Sequence, residues 1–191
     1  RVDHIIAPGE TEASSGRDIF PGGKGLNQSV ALARAGAEVY HAGAVGCGDG
    51  GMLEEVLKSA GVKLDYLARH EVPSGHTVIQ VDKSGQNSII LFGGANQSLR
   101  REEIDATLDA FSAGDYLVLQ NETNELEYLL RRGAEKGLRI AFNVSPFTPD
   151  LLKLPLDSCA YLLVNEVEAA AIAGLSPDSD YRQLLEALAR R

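Results

Sequence analysis

The residues best suited to chemistry form one stretch, Pro21-Gly22-Gly23-Lys24-Gly25-Leu26-Asn27-Gln28-Ser29, which runs into the helical pattern Val30 to Ala35. Glycines at 22, 23 and 25 let the backbone approach a ligand with no Cβ in the way. A helix opening there leaves N–H groups at its amino end, with a partial positive charge. Lys24 and Asn27 are three residues apart, so one helix face offers both to a single polar ligand. A loop that merely caps a helix has the same composition, and the residues alone leave both readings open. A Walker A phosphate loop is excluded: the residue five before Gly23 is Asp18, and Lys24 is followed by Gly25 rather than Ser or Thr.

Gly46-Cys47-Gly48-Asp49-Gly50-Gly51 fits G-x-G-x-x-G, with Asp65 about twenty residues beyond Gly46. It follows a predicted strand and precedes a predicted helix, the setting of a dinucleotide-binding turn. Strand ends supply the other candidates, because ligands of open α/β sheets gather at the carboxyl ends of the strands. Glu122 lies just past the apolar run ending at Leu119, and Asn165 just past the run ending at Val164, with Glu168 three residues later. A carboxylate so placed can accept substrate hydroxyls, and an Asn/Glu pair can hold a hydrated Mg²⁺. The plainer readings are a helix start for Glu122 and a solvated helix face for Glu168. The histidines (His4, His41, His70, His76) show no ligand spacing.

The elements that must position these residues alternate. Val39 to Val45 reads as a buried strand, followed by a helix over Met52 to Ala60 that Gly61 stops. Tyr116 to Leu119 reads as a strand before a helix over about 124–136. Leu138 to Phe142 and Tyr161 to Val164 read as further strands, and Glu166 to Ala173 as an Ala-rich helix. Strands with helical crossovers make a mostly parallel sheet flanked by helices, an α/β fold. Gly75 to Phe92 breaks the rhythm: Thr77 to Val81 and Ser88 to Phe92 flank turn residues and read as a hairpin, a segment suited to a lid or an interface.

Composition narrows the function classes. With 18 Lys+Arg against 27 Asp+Glu, the net charge is −9, which argues against nucleic acid or an anionic membrane as the main partner. No apolar run approaches the roughly 18 residues of a membrane span. The two cysteines, Cys47 and Cys159, lie far apart and fit a reduced, cytoplasmic setting. Arg1 to Ile6 reads as the tail of a strand rather than a signal peptide.

Taken in series, Val2-Asp3-His4, Pro8-Gly9-Glu10-Thr11, Pro21 to Gln28, Gly94-Ala95-Asn96 and Asn165-Glu166-Val167-Glu168 resemble ribokinases and the wider PfkB family of carbohydrate kinases. The resemblance spans nearly the whole chain. It implies a ribokinase-like domain over 1–191, with lid segments at about 4–20 and 75–92. Asp3, Gly22, Gly23, Lys24 and Asn27 would bind a small sugar, together with Glu122. Asn165 and Glu168 would position Mg²⁺ and phosphate through water, with no direct metal ligand. ATP would be the donor, and the β lid would cover the sugar and pair two subunits as a homodimer. An alkali-metal ion is a further cofactor the resemblance admits. Gly46 to Gly51 would then be a structural turn.

Three departures matter. The place of the family's Asn two residues before Asp3 is taken by Arg1, and the stretch between Ile6 and Pro8 is shorter than usual. The family's D-T-x-G-A-G-D element, which carries the catalytic base and an anion hole at a helix start, is missing. Asp109 to Asp115 imitates it, but Asp115 leads into the strand run Tyr116-Leu117-Val118-Leu119, so Asp115 is rejected as the base. The C-terminal third of such a kinase would therefore lie outside this sequence. The expected function is ATP-dependent phosphorylation of a sugar hydroxymethyl group. The alternatives are a non-catalytic sugar-binding or dimerising module, and a dinucleotide-binding domain using Gly46 to Gly51.

Overall fold

Helix-compatible stretches with apolar residues three and four apart, set between short apolar runs, fold here as strand–helix units. The computed structural model describes residues 1–190, and the chain divides into two compact units, Arg1–Asn96 and the part from Gln97 onward.

In the first unit the glycine-rich stretch opens α1 (Lys24–Arg34), so the helix begins six residues before Val30. Leu26 is buried, and with Val30 and Ala33 it packs on Leu57 and Val62. β1 (Gly43–Gly46) is followed by α2 (Gly51–Ser59) and then β2 (Leu67–His70), which pairs with β1 in parallel. The strand expected from Val39 starts later: Tyr40 makes only an isolated bridge to Lys63, and regular pairing resumes at Gly43. β3 (His76–Val81) and β4 (Asn87–Phe92) form the expected antiparallel hairpin, with Val78 opposite Ile90 and Ile79 opposite Ile89. All four of these side chains are at least half exposed. The segment before Pro21 has no regular structure, yet it is tied to the hairpin by hydrogen bonds from Val2 N–H to Val81 O and from Ile6 N–H to Gln80 Oε1.

The second unit is a three-stranded parallel sheet with helical crossovers. α3 (Arg101–Asp109) leads to β5 (Tyr116–Gln120), α4 (Leu126–Glu135) to β6 (Arg139–Asn143), and a stretch of 3-10 turns to β7 (Tyr161–Leu163). The strand order is β5-β6-β7. α5 (Glu166–Ala173) and α6 (Tyr181–Leu188) close the unit, with Ala169 and Ala170 packed on Leu184. Leu130, Ile140, Phe142 and Val144 are completely buried at the centre of its core, among Leu108, Leu151 and Ile172. Among the described residues, no helix is long and apolar enough to cross a membrane. Burial pushes the Cys159 thiol up to about 11, which keeps it protonated and unreactive near neutral pH.

Replacing Leu130 by Ala removes a side chain with no exposed surface and should cost about 2–5 kcal/mol in urea unfolding. Leu185→Ala, on the outer face of α6 where the side chain is 67% exposed, should change stability by no more than about 0.5 kcal/mol.

Candidate functional site

The glycine-rich loop places a helix amino end with nothing of its own to cap it. Gly23 is the N-cap residue at φ 98°, a conformation that side-chain-bearing residues avoid, and no side chain caps the helix. The first turn also contains no acidic residue, so its partial positive charge is not offset locally. Gly22 and Gly23 have open space where a Cβ would stand. Asn27 is exposed and Lys24 half-buried, while Leu26 between them turns inward. The sequence-predicted residues 22, 23, 24 and 27 thus share one exposed helix start.

One polar contact holds this element from behind. Ser29, on the buried side of α1, has its Oγ 2.8 Å from Nδ1 of His41. Burial lowers the His41 pKa from its ordinary value, so the ring is held neutral. Asp3 lies on the N-terminal segment beside the hairpin. Its N–H donates to Glu12 Oε1 at 2.9 Å, and its carboxylate pairs with Lys83 at 2.9 Å. Both charged side chains are largely exposed, so this pair adds little stability.

In the second unit, parallel pairing sets the strand ends level. Gln120 stands opposite Asn143, and Asn143 opposite Leu163. The residues that follow these ends therefore emerge along one edge of the sheet. Glu122 lies in the turn after β5, where its backbone oxygen accepts a hydrogen bond from Gln97 Nε2. Asn165 is the N-cap of α5: its Oδ1 accepts from Glu168 N–H at 2.8 Å, and Glu168 Oε2 accepts from Asn165 N–H at 3.1 Å. This is a reciprocal capping box. A solvated helix face for Glu168 is thus corrected, because the side chain is only 7% exposed.

Asn165 and Glu168 line a cavity of about 270 Å³ with Asn143, Ser145, Leu163 and Val164. Asn143 and Ser145 were not among the sequence candidates. Their signal was available, because they follow the predicted strand ending at Phe142 just as Asn165 follows its own. Asn143 Oδ1 accepts from Ser145 N–H at 3.1 Å, which fixes the amide at the cavity wall. Among the described residues, no group of three or more His, Cys, Asp or Glu is arranged to hold a metal ion. A wider trough of about 540 Å³ in the same unit is lined by Arg101, Glu125, Glu127 and Arg131, among others. Its arginines are already paired, Arg101 with Glu125 and Arg131 with Glu127.

The G-x-G-x-x-G stretch and the Asp109–Asp115 stretch both resolve as structural features. A Cβ on Gly46 would fall 2.3 Å from Asp49 Oδ1 and 2.7 Å from Ser74 N; the glycine makes room for the protein's own atoms. Asp115 stands directly before β5, at the opposite end of that strand from Glu122, and its Oδ2 accepts from Ser112 N–H. It heads no helix.

Residues 1–190 match the model of the pfkB family carbohydrate kinase. The chain belongs to this family. Among curated family members, the bifunctional ribokinase/ribose-5-phosphate isomerase A of Fructilactobacillus sanfranciscensis is 31% identical over 97% of the chain and 35% of its own length. The ribokinase of Arabidopsis thaliana is 29% identical over 99% of the chain and 52% of its own length. The chain thus spans from about a third to about half of the length of these relatives. Solved structures agree: ribokinase from Cryptococcus neoformans, in complex with ADP, is 34% identical with a TM-score of 0.80, covering 99% of this chain and 61% of that one. Arabidopsis thaliana ribokinase complexed with ribose and ATP is 27% identical with a TM-score of 0.82, covering 98% and 62%. The ribokinase-like α/β fold is therefore established.

A pH series tests the support behind α1. A His41 held neutral in the folded state binds fewer protons than the unfolded chain, so its contribution is complete above the unfolded pKa of about 6.5 and is lost as pH falls below it. The drop in urea midpoint between about pH 7.5 and about pH 5.5 should be smaller in His41→Gln than in the wild type.

Proposed function

We propose that the whole protein transfers the γ-phosphoryl group of ATP to a hydroxymethyl group of a small sugar, with ribose the favoured acceptor. The observation that carries this reading is the pair of elements found in one family chain: an uncapped glycine-rich helix start at Gly23, and the Asn165–Glu168 capping box at a sheet's carboxyl edge. Ribokinases predominate among the similar proteins, and one is solved with ribose and ATP.

In this proposal Asp3 and Glu122 accept hydrogen bonds from sugar hydroxyls. The Asn27 amide can both donate and accept, and Lys24 and the α1 amino end favour electron-rich oxygens. Gly22 and Gly23 let the sugar reach the backbone. Asn165 and Glu168 turn the remaining edges of their side chains to ordered water around phosphate. These donors suit a hydrated Mg²⁺, which binds through oxygen ligands and keeps several waters. When bound, Mg²⁺ neutralises charge on the phosphate oxygens. As the sugar oxygen bonds to the γ-phosphorus, the bond to ADP breaks and the hydroxyl proton passes to a base. Residues 1–191 contain no match to the family element that supplies that base.

Cytoplasmic residence and a homodimer through the hairpin complete the proposal. Val78, Ile79, Ile89 and Ile90 expose an apolar surface on both hairpin faces, and a second copy would bury it.

Two measurements check this reading. The whole protein, incubated with ATP, Mg²⁺ and a panel of pentoses, hexoses and nucleosides, should produce a sugar phosphate, detected by mass spectrometry. Phosphorylation of no member of the panel would contradict the proposal and favour a binding or dimerising module. Sedimentation should show a dimer at micromolar concentration; a monomer there would remove the hairpin interface.

A further inference from the structure

The glycine-rich motif Gly46 to Gly51 is left without a ligand by the proposed function, and its contacts suggest a different task. Asp49 lies in the turn between β1 and α2. Its Oδ1 accepts from Ser74 Oγ at 2.6 Å and from Ser74 N at 3.0 Å, and its Oδ2 lies 3.1 Å from the same N–H. Ser74 Oγ in turn accepts from Gly46 N–H at 2.9 Å. The serine is only 6% exposed, so Asp49 and Gly46 serve its polar atoms in place of water, while Asp49 itself stays exposed. Hydrogen bonds from Ser74 hold the Asp49 carboxyl below its ordinary range, which keeps it an ionised acceptor near neutral pH.

Ser74 stands two residues before β3, so the clasp fastens the root of the hairpin. The turn that follows β4 is pinned at the same root, where Ala95 N–H donates to Pro73 O. The hairpin, in turn, holds the segment bearing Asp3. Val2 N–H donates to Val81 O, Ile6 N–H to Gln80 Oε1, and Lys83 pairs with the Asp3 carboxylate. A continuous set of contacts therefore runs from Asp49 through Ser74 and β3 to Asp3. Little apolar packing supports the hairpin along the way, since its large side chains are exposed.

We propose that Asp49 is a positioning residue for sugar binding, which sets the root of the β3–β4 hairpin through Ser74 and thereby the place of the Asp3 carboxylate. This rests on the reading of Asp3 as a sugar ligand. It also accounts for Gly46: any side chain there would enter the space the clasp occupies.

The test uses the whole protein and the variants Asp49→Ala, Asp49→Asn and Ser74→Ala. Loss of charge-assisted hydrogen bonds in Asp49→Ala should raise the KM for the sugar about tenfold or more, with kcat and the KM for ATP near wild-type values. That split marks lost binding rather than lost chemistry. Asp49→Asn keeps one oxygen acceptor and should recover part of the loss. Ser74→Ala, a small change that leaves the backbone N–H in place, should shift the sugar KM in the same direction. Amide hydrogen exchange at Val2, Ile6 and Ser74 should accelerate in Asp49→Ala, while the buried strand around Phe142 stays protected. An unchanged sugar KM with unchanged exchange would overturn the proposal. So would a parallel rise in both KM values with faster exchange everywhere, since that marks general destabilisation. Should the wild type phosphorylate no sugar, the proposed function fails; the clasp is then decided by exchange alone, with faster exchange at residues 2–6 supporting it and unchanged exchange overturning it.

Discussion

Parallel strand pairing is the constraint from which the candidate site follows. Parallel strands cannot be joined by tight turns, so each must run out at its carboxyl end before the chain crosses back. In the second unit the register sets Gln120, Asn143 and Leu163 side by side, and every polar residue of interest follows one of these ends. Glu122, Ser145 and Asn165 are thus brought to one edge by backbone hydrogen bonding, before any side-chain preference acts. The sheet itself is held by apolar burial: Ile140, Phe142 and Val144 alternate with less buried neighbours along β6 and its exit.

At this edge the atoms that cap the helix belong to the residues to which the proposed chemistry is assigned. Asn165 and Glu168 satisfy each other's backbone N–H groups, which is sufficient reason for both residues as a helix cap. The same bonds leave the Asn165 amide nitrogen and one Glu168 oxygen in fixed directions at a cavity wall, so pre-organisation costs nothing further when a ligand arrives. The first unit follows another rule. There the amino end of α1 is left uncapped because Gly23 has no side chain, and the helix is secured instead by Leu26 against Leu57 and by Ser29 against His41.

Much of this was legible in the residues. The α5 boundaries, the hairpin, the strands at 116 and 139 and the helix start in the glycine loop follow from apolar spacing and turn chemistry. α6, outside the elements expected from the sequence, carries its own signals, since Asp180 caps it and Leu184 and Leu188 lie four apart; α3 likewise has Ile104 and Leu108 at that spacing. β2 was not legible in the same way, since Leu67–His70 is a strand only because β1 pairs with it. The burial of Glu168 depends on packing around α5 and leaves no mark in sequence spacing. The role of Gly46 was equally hidden, because its neighbour Ser74 is 28 residues away.

In the proposed function the helix start of the first unit contributes to sugar binding, and the capping box of the second unit faces phosphate. Hydrogen exchange of the whole protein, measured with ribose alone and with a non-hydrolysable ATP analogue alone, tests this directly. Ribose should slow exchange over residues 22–27, and the nucleotide should slow it at 165–168 while leaving 46–51 unchanged. Nucleotide protection confined to 46–51, with no effect of ribose at 22–27, would contradict this assignment.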